Sequence, residues 1–383
     1  QPVQRAVSLT ALAIAGCGGI FFAAESGAFV SWSLPYGKPW QVVVTLVSWG
    51  INTLAIFAGG RLDGPDPKDP KDAPLPRVRY FMPAGWAFAI WGPIILGEAA
   101  LATYQALPLE SVSAAAGWLA KLCPWLSSAF LVQSCWCLSF REWARDAGLL
   151  WFPAALLGGT AACLGGAHHV VRGALAANNM SKLQYGLVHL PISLHFGWVS
   201  CATLVNLNNY IALLPFSDKG KLNFSLASIV AAVGLAVAVT GTTGDPVYAG
   251  VVAWALSAVA SQKGWEKMKV GGLTGASPVG LYHGMGLFCA SVWRRQHNKE
   301  WLVTGANIAR LRKLSLVSMT KFIFLLTELF SQLTYEPGSM YSSLGNFLSK
   351  EVPVSLSPLL VFAVCVATTL AFDHLTNQAL SLC

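Results

Sequence analysis

Charge is what this chain has least of. Only 11% of its 383 residues are Asp, Glu, Lys or Arg, against 55% hydrophobic, and the mean hydropathy is +0.55. Soluble domains carry about a quarter charged residues, so a soluble globule and a solvated disordered tail are both excluded. Other absences narrow the class further. Alternating strands of about ten residues, which a membrane β-barrel requires, are missing. No repeat of 20 to 50 residues argues for a solenoid. There is no phosphate-cradling Gly-Lys-Ser/Thr loop, no nucleophile elbow and no His-Glu-x-x-His pair, so a non-catalytic protein is expected. The net charge of +8 is scattered through short loops instead of forming a patch, and no RNA- or DNA-binding signature accompanies it, so nucleic acid is not an expected partner. Nine cysteines lie mostly inside apolar stretches. They read as small packing residues, and Cys135-x-Cys137 lacks the spacing of a zinc or redox pair, so no structural metal is expected.

Uncharged stretches near 20 residues recur along the chain, the length that crosses a bilayer core of about 30 Å as a helix. They cover 7–31, 41–59, 84–106, 114–140, 147–167, 185–214, 225–242, 246–262, 271–293, 314–333 and 353–372. Backbone amides in hydrocarbon must find partners within their own segment, so the fold class is all-α, a polytopic transmembrane helix bundle. Loop charges test the count. With the first eight stretches spanning, Arg5, Arg61 to Arg79, Arg141, Arg145, Lys219, Lys221 and Lys263 to Lys269 fall on one side, and Lys38, Arg172 and Lys182 on the other. A full crossing by the Gly-rich stretch 271–293 would put Arg294 to Lys313 on the sparse side, so that stretch is expected to be re-entrant, leaving about ten spans. The loop from Arg61 to Arg79, with its Asp-Pro-Lys-Asp-Pro-Lys-Asp run, is a charged extended connector.

Three segments stand out for their aromatics. Pro83, Trp86, Phe88 and Trp91 crowd the opening of one helix. Trp136 and Phe140 lie i, i+4 on one face of a second. Pro191, Trp198, Val199, Ser200, Ala202, Thr203 and Asn206 mark a third. These spacings, in this order, resemble the TspO and peripheral benzodiazepine receptor family of tryptophan-rich membrane proteins. Trp254, in the stretch that closes this region, is compatible with it. The resemblance covers about residues 40–262, with an extra N-terminal helix in 1–39 and a C-terminal extension of two or three membrane segments in 263–383. It implies a five-helix core with an aromatic-lined pocket for a porphyrin, haem or another flat apolar ligand. By carry-over, Trp86, Phe88, Trp91, Trp136, Phe140, Trp198 and Asn206 are the expected lining.

Ionisable groups inside spans are costly and therefore functional suspects. Glu98, seven residues after Trp91, shares nearly the same helical face and is expected to join the pocket. Lys321 and Glu328 share a face and read as a structural bridge. His189, His195 and His283 are candidate ligands to a tetrapyrrole metal, although the six-residue spacing of His189 and His195 prevents both from facing one site on a regular helix. His168-His169, at a segment end, reads as a wet interfacial pair. Gly280-x-x-x-Gly284 permits close helix approach.

Three functions follow as expectations. The first is a binding protein for a tetrapyrrole (haem, porphyrin or chlorophyll type) or, failing that, a lipid. The second is a structural or pigment-binding subunit of a larger photosynthetic or respiratory membrane complex. The third is a small-molecule transporter. Membrane lipids and protein partners in a membrane complex are the expected neighbours. Gln1 in place of an initiating Met is what a removed targeting segment would leave, and an organelle membrane, plastid or mitochondrial, is the expected location.

Overall fold

A computed structural model describes residues 1–26, 40–63, 75 and 80–262. His283, Lys321, Glu328, the Gly280–Gly284 pair and the stretch 271–293 lie outside the described residues. Within them every regular element is helical, and the principal helices, in chain order, are α1 (Pro2–Glu25), α2 (Trp40–Phe57), α3 (Trp91–Tyr104), α4 (Ala116–Ser139), α5 (Trp151–Ala176), α6 (Leu190–Leu213), α7 (Asp218–Thr243) and α8 (Pro246–Ser261). A 3-10 turn, Gly85–Ile90, leads into α3, and a π turn, Tyr185–His189, leads into α6. The segments Pro2–Glu25, Trp40–Phe57, Gly85–Tyr104, Trp151–Ala176, Lys182–Leu213 and Asp218–Thr243 are long and apolar enough to cross a membrane. The chain is an integral membrane protein. Residues 40–262 hold α2 to α8, and five of the six segments long and apolar enough to cross a membrane fall there.

Local chemistry sets the boundaries. Ser181 and Gln184 form a capping box ahead of the π turn, each side chain satisfying the other's backbone N–H. Ser217 caps α7 by accepting from the Gly220 N–H. Gly244 ends the same helix in the left-handed region at φ 70°, where a Cβ would be strained. Asp245 then caps α8, with Pro246 at the first helical position, where its missing N–H costs nothing.

The helices alternate in direction, as successive short connections require. Near one end, the Leu62 N–H donates to the Phe140 carbonyl and the Ala84 N–H to the Ala258 carbonyl. At the other end, the Gln184 amide donates to the Tyr104 hydroxyl (3.0 Å) and to the Ser111 carbonyl (2.9 Å). Arg5, Arg61, Arg141, Arg145, Lys219 and Lys221 gather at the first end, with Lys121, Arg172 and Lys182 towards the second. The charge asymmetry read from the loops is therefore kept across these eight helices. The first is called the basic end below, the second the far end.

Two helices organise the bundle. α4 packs on α1, α2 and α5, and α6 packs on α3, α5, α7 and α8. The peripheral helix α1 has only 6% of its apolar window buried, so most of its surface is left for lipid. Polar side chains join neighbours where water is absent. Asn52 of α2 donates to Gln133 of α4 at 3.4 Å, and Asn208 of α6 bonds Ser225 and Ser228 of α7 at 2.8 Å each. Gly197 lets α6 approach α8: a Cβ there would lie 2.9 Å from Val251 Cβ and 3.1 Å from the Tyr248 carbonyl.

Candidate functional site

At the basic end, the opening of α3, the end of α4, the middle of α6 and the end of α8 surround a narrow cleft of about 50 Å³. Its walls are aromatic for a sequence reason. Phe88 and Trp91 lie one 3-10 turn apart, and Trp136 and Phe140 lie one α turn apart, so each pair presents its rings on one side. Phe88 meets Trp198 edge-on at 5.4 Å, Trp91 meets Trp198 edge-on at 6.4 Å, and Trp136 stacks on Phe140 at 5.8 Å with 17° between planes. These are the favoured geometries of rings with a negative face and a positive edge.

Few polar atoms reach the cleft. Asn206 accepts from Trp136 Nε1 at 3.2 Å and donates to the Ala202 carbonyl, so its amide is fixed in orientation. Asp63, which also lines the cleft, accepts from Arg61 Nε at 2.8 Å. The Arg61 guanidinium lies over the Trp136 ring at 5.4 Å, a cation–π contact. Burial alone would lower the pKa of Arg61, but Asp63 and Cys137 outweigh it and raise the value, so the cation over Trp136 is permanent. Leu75, Phe81, Met82 and Pro83 complete this wall.

Of the residues expected to line a pocket, Phe88, Trp91, Trp136, Phe140, Trp198 and Asn206 do so. Trp86 does not. It is 46% exposed, meets Trp254 edge-on at 4.6 Å and donates to Ser261. The 3-10 turn explains this: at 3.0 residues per turn, Trp86 stands about 120° away from Phe88 and Trp91 on average. Glu98 does not line the cleft either. Its seven-residue offset keeps it on the face of Trp91 but about 10 Å further along the axis, where it pairs with His195 Nδ1 at 2.5 Å, fully inside the bundle. That pairing also answers for His195. Its ring meets Trp91 edge-on at 5.6 Å, and among the described residues no histidine lines the cleft.

His189 belongs to a different place, at the far end. There His168 of α5, His189 of the π turn, Ser193 of α6 and Asp245 at the start of α8 converge. Asp245 Oδ2 pairs with His168 Nε2 at 2.8 Å, accepts from Ser193 Oγ at 2.6 Å and lies 3.9 Å from His189 Nε2. Its Oδ1 accepts from the Val247 N–H at 2.9 Å. Burial alone would raise the Asp245 pKa, but the bond from His168, the charge of His189 and the bond from Ser193 outweigh it and hold the value at about 2. His168 is thus no wet interfacial residue: it is 2% exposed. The expectation failed because α5 continues to Ala176, a further two turns beyond the apparent end of its apolar stretch. Sequence reading passed over Asp245 altogether. The Asp-Pro pair opening an apolar run signals a helix cap, but nothing local announces its histidine partners.

The TSPO-like protein family profile matches residues 40–283, well over half of the chain. The chain belongs to the TSPO-like family. No curated protein and no solved structure shows significant similarity to it. The matched region contains every cleft residue and the far-end cluster, whereas α1 precedes it. Among the described residues, the TSPO-like region thus holds an aromatic cleft at the basic end and a buried His–Asp cluster at the far end.

Proposed function

We propose that this TSPO-like membrane protein is a non-catalytic binding protein for a flat, apolar ligand of the tetrapyrrole or lipid class, seated in the cleft at the basic end. One observation carries the reading: rings from three separate segments, the approach to α3, the end of α4 and the middle of α6, meet around a cleft whose strongly polar groups, among the described residues, are Asp63, Asn206 and Asn209. Few, oriented polar groups on an apolar wall are what a site for such a ligand needs. The donor chemistry narrows the choice. No histidine is among the described lining residues, and their apolar and aromatic side chains suit a metal-free macrocycle or a flat lipid. The size adds a condition. About 50 Å³ holds a few water-sized groups, so a macrocycle enters only when the wall formed by Phe81, Met82 and Pro83 shifts outward. Arg61 beside the opening suits an anionic substituent on the ligand edge.

The test is a titration of the detergent-solubilised full chain with protoporphyrin IX, followed by quenching of tryptophan fluorescence. Saturable one-to-one quenching, displaced by a competing flat lipid, is the expected result. Quenching that rises linearly without saturation removes the cleft as a site. Among the described residues, nothing singles out a docking face for a larger complex.

A further inference from the structure

We propose that the far-end cluster of His168, His189 and Asp245 is a binding site for a divalent transition-metal ion of the zinc class. The cluster shares no residue with the ligand cleft, whose α6 lining begins at Trp198, about 7.5 Å further along the helix than Ser193.

The donor atoms are of the right kind and already gathered. Two imidazole nitrogens and one carboxylate oxygen all lie within 4.8 Å of one another, each on a buried residue. Two histidines and a carboxylate with a fourth position left for water form a familiar donor set for such ions. Bonds of about 2.0–2.2 Å in a tetrahedral shell separate ligand atoms by roughly 3.3–3.6 Å. The observed separations, 2.8 Å for His168 to Asp245 and 3.9 Å for His189 to Asp245, bracket that value. Small movements suffice.

His189 supplies the observation that points to a ligand. It is completely buried, yet neither of its ring nitrogens has a hydrogen-bond partner. A buried polar atom left without a partner carries its full desolvation cost. The imidazole is nonetheless held in place, stacked on Tyr185 at 4.6 Å with 15° between planes. A side chain so oriented, 3.9 Å from a carboxylate oxygen and bonded to nothing, has the lone pair a metal needs. The remaining groups act as supports. The Val247 N–H fixes Asp245 Oδ1, which leaves Oδ2 for the ion, and Ser193 Oγ steadies that oxygen. His168 becomes a ligand when its Nε2 proton shifts to Nδ1 or is released, as metal binding to imidazole requires.

Arg172 opposes the ion. It lies on α5 four residues beyond His168 and donates to the Thr243 carbonyl, and its charge interacts with Asp245 and with His189. It therefore weakens affinity, and removing it is a positive test.

The experiment uses the full chain, purified in detergent and stripped with chelator, titrated with Co(II) for visible d–d absorption and with Zn(II) by calorimetry. Wild type is expected to take up one equivalent of either ion with tetrahedral cobalt bands. His189→Phe keeps the ring stack on Tyr185 and removes the two unsatisfied nitrogens, so its metal-free melting temperature should equal or exceed that of wild type while metal affinity falls at least tenfold. Arg172→Gln should bind several-fold more tightly. A wild-type chain that takes up no ion, a His189→Phe variant that retains it, or an affinity unmoved by Arg172→Gln overturns the site.

Discussion

The two ends of the bundle solve opposite problems with the same helix. At the basic end, α6 presents Trp198 and Asn206 to a cleft, and the surrounding rings leave space between them. At the far end, the segment entering α6 presents His189, with Ser193 a turn later, to a knot of polar groups centred on Asp245. Apolar walls tolerate a gap, because nothing in them requires a partner. A buried carboxylate does not, and it draws four elements together until its oxygens are satisfied. The comparison teaches that room for a guest and polar closure can share one helix, with Ser193 serving one and Trp198 the other.

The sharpest way to break the comparison is at Asp245. Asp245→Ala strips His168, Ser193 and the first turn of α8 of their acceptor, and should cost about 3–5 kcal/mol, the scale for breaking a buried charged pair, read as a drop in thermal midpoint. A loss under about 1 kcal/mol would mean that the knot does not hold the far end together. Next in size, Trp91→Ala should weaken porphyrin binding by about 1–3 kcal/mol through the lost ring contact, measured by the fluorescence titration. Unchanged affinity would remove Trp91 from the site. Smaller again, Asn206→Ala deletes the acceptor for Trp136 Nε1 and should cost about 1 kcal/mol in stability, by chemical denaturation in mixed micelles. Smallest is Trp86→Phe, which should alter porphyrin affinity by less than about 0.5 kcal/mol, because this side chain stands outside the cleft. A larger loss would return Trp86 to the lining.

The basic end was legible in the sequence because its information is local. Trp136 and Phe140, or Trp198 and Asn206, carry their geometry in their spacing on a helix whose pitch is known. The all-α class and the eight described helices, six of them long and apolar enough to cross a membrane, followed from lengths and apolar runs in the same way. Local reading failed where the pitch changed or the axis mattered. Trp86 sits in a 3-10 turn, and Glu98 has the right face at the wrong depth. The far end was not legible at all, because His168, His189 and Asp245 come from three distant segments, and their meeting is decided by how α5, α6 and α8 pack. No spacing rule spans those gaps.

The π turn at Tyr185–His189 has a consequence for how this region tolerates change. A widened turn holds one more residue than regular winding would, so it acts as a phase shifter: everything upstream is rotated by about 100° relative to an uninterrupted helix. Deleting Gly186 would restore ordinary winding and swing Gln184 away from Tyr104 and Ser111, its anchors across the bundle. One residue is thus enough to set which neighbours the entry to this helix reaches, with Leu190–Leu213 left untouched.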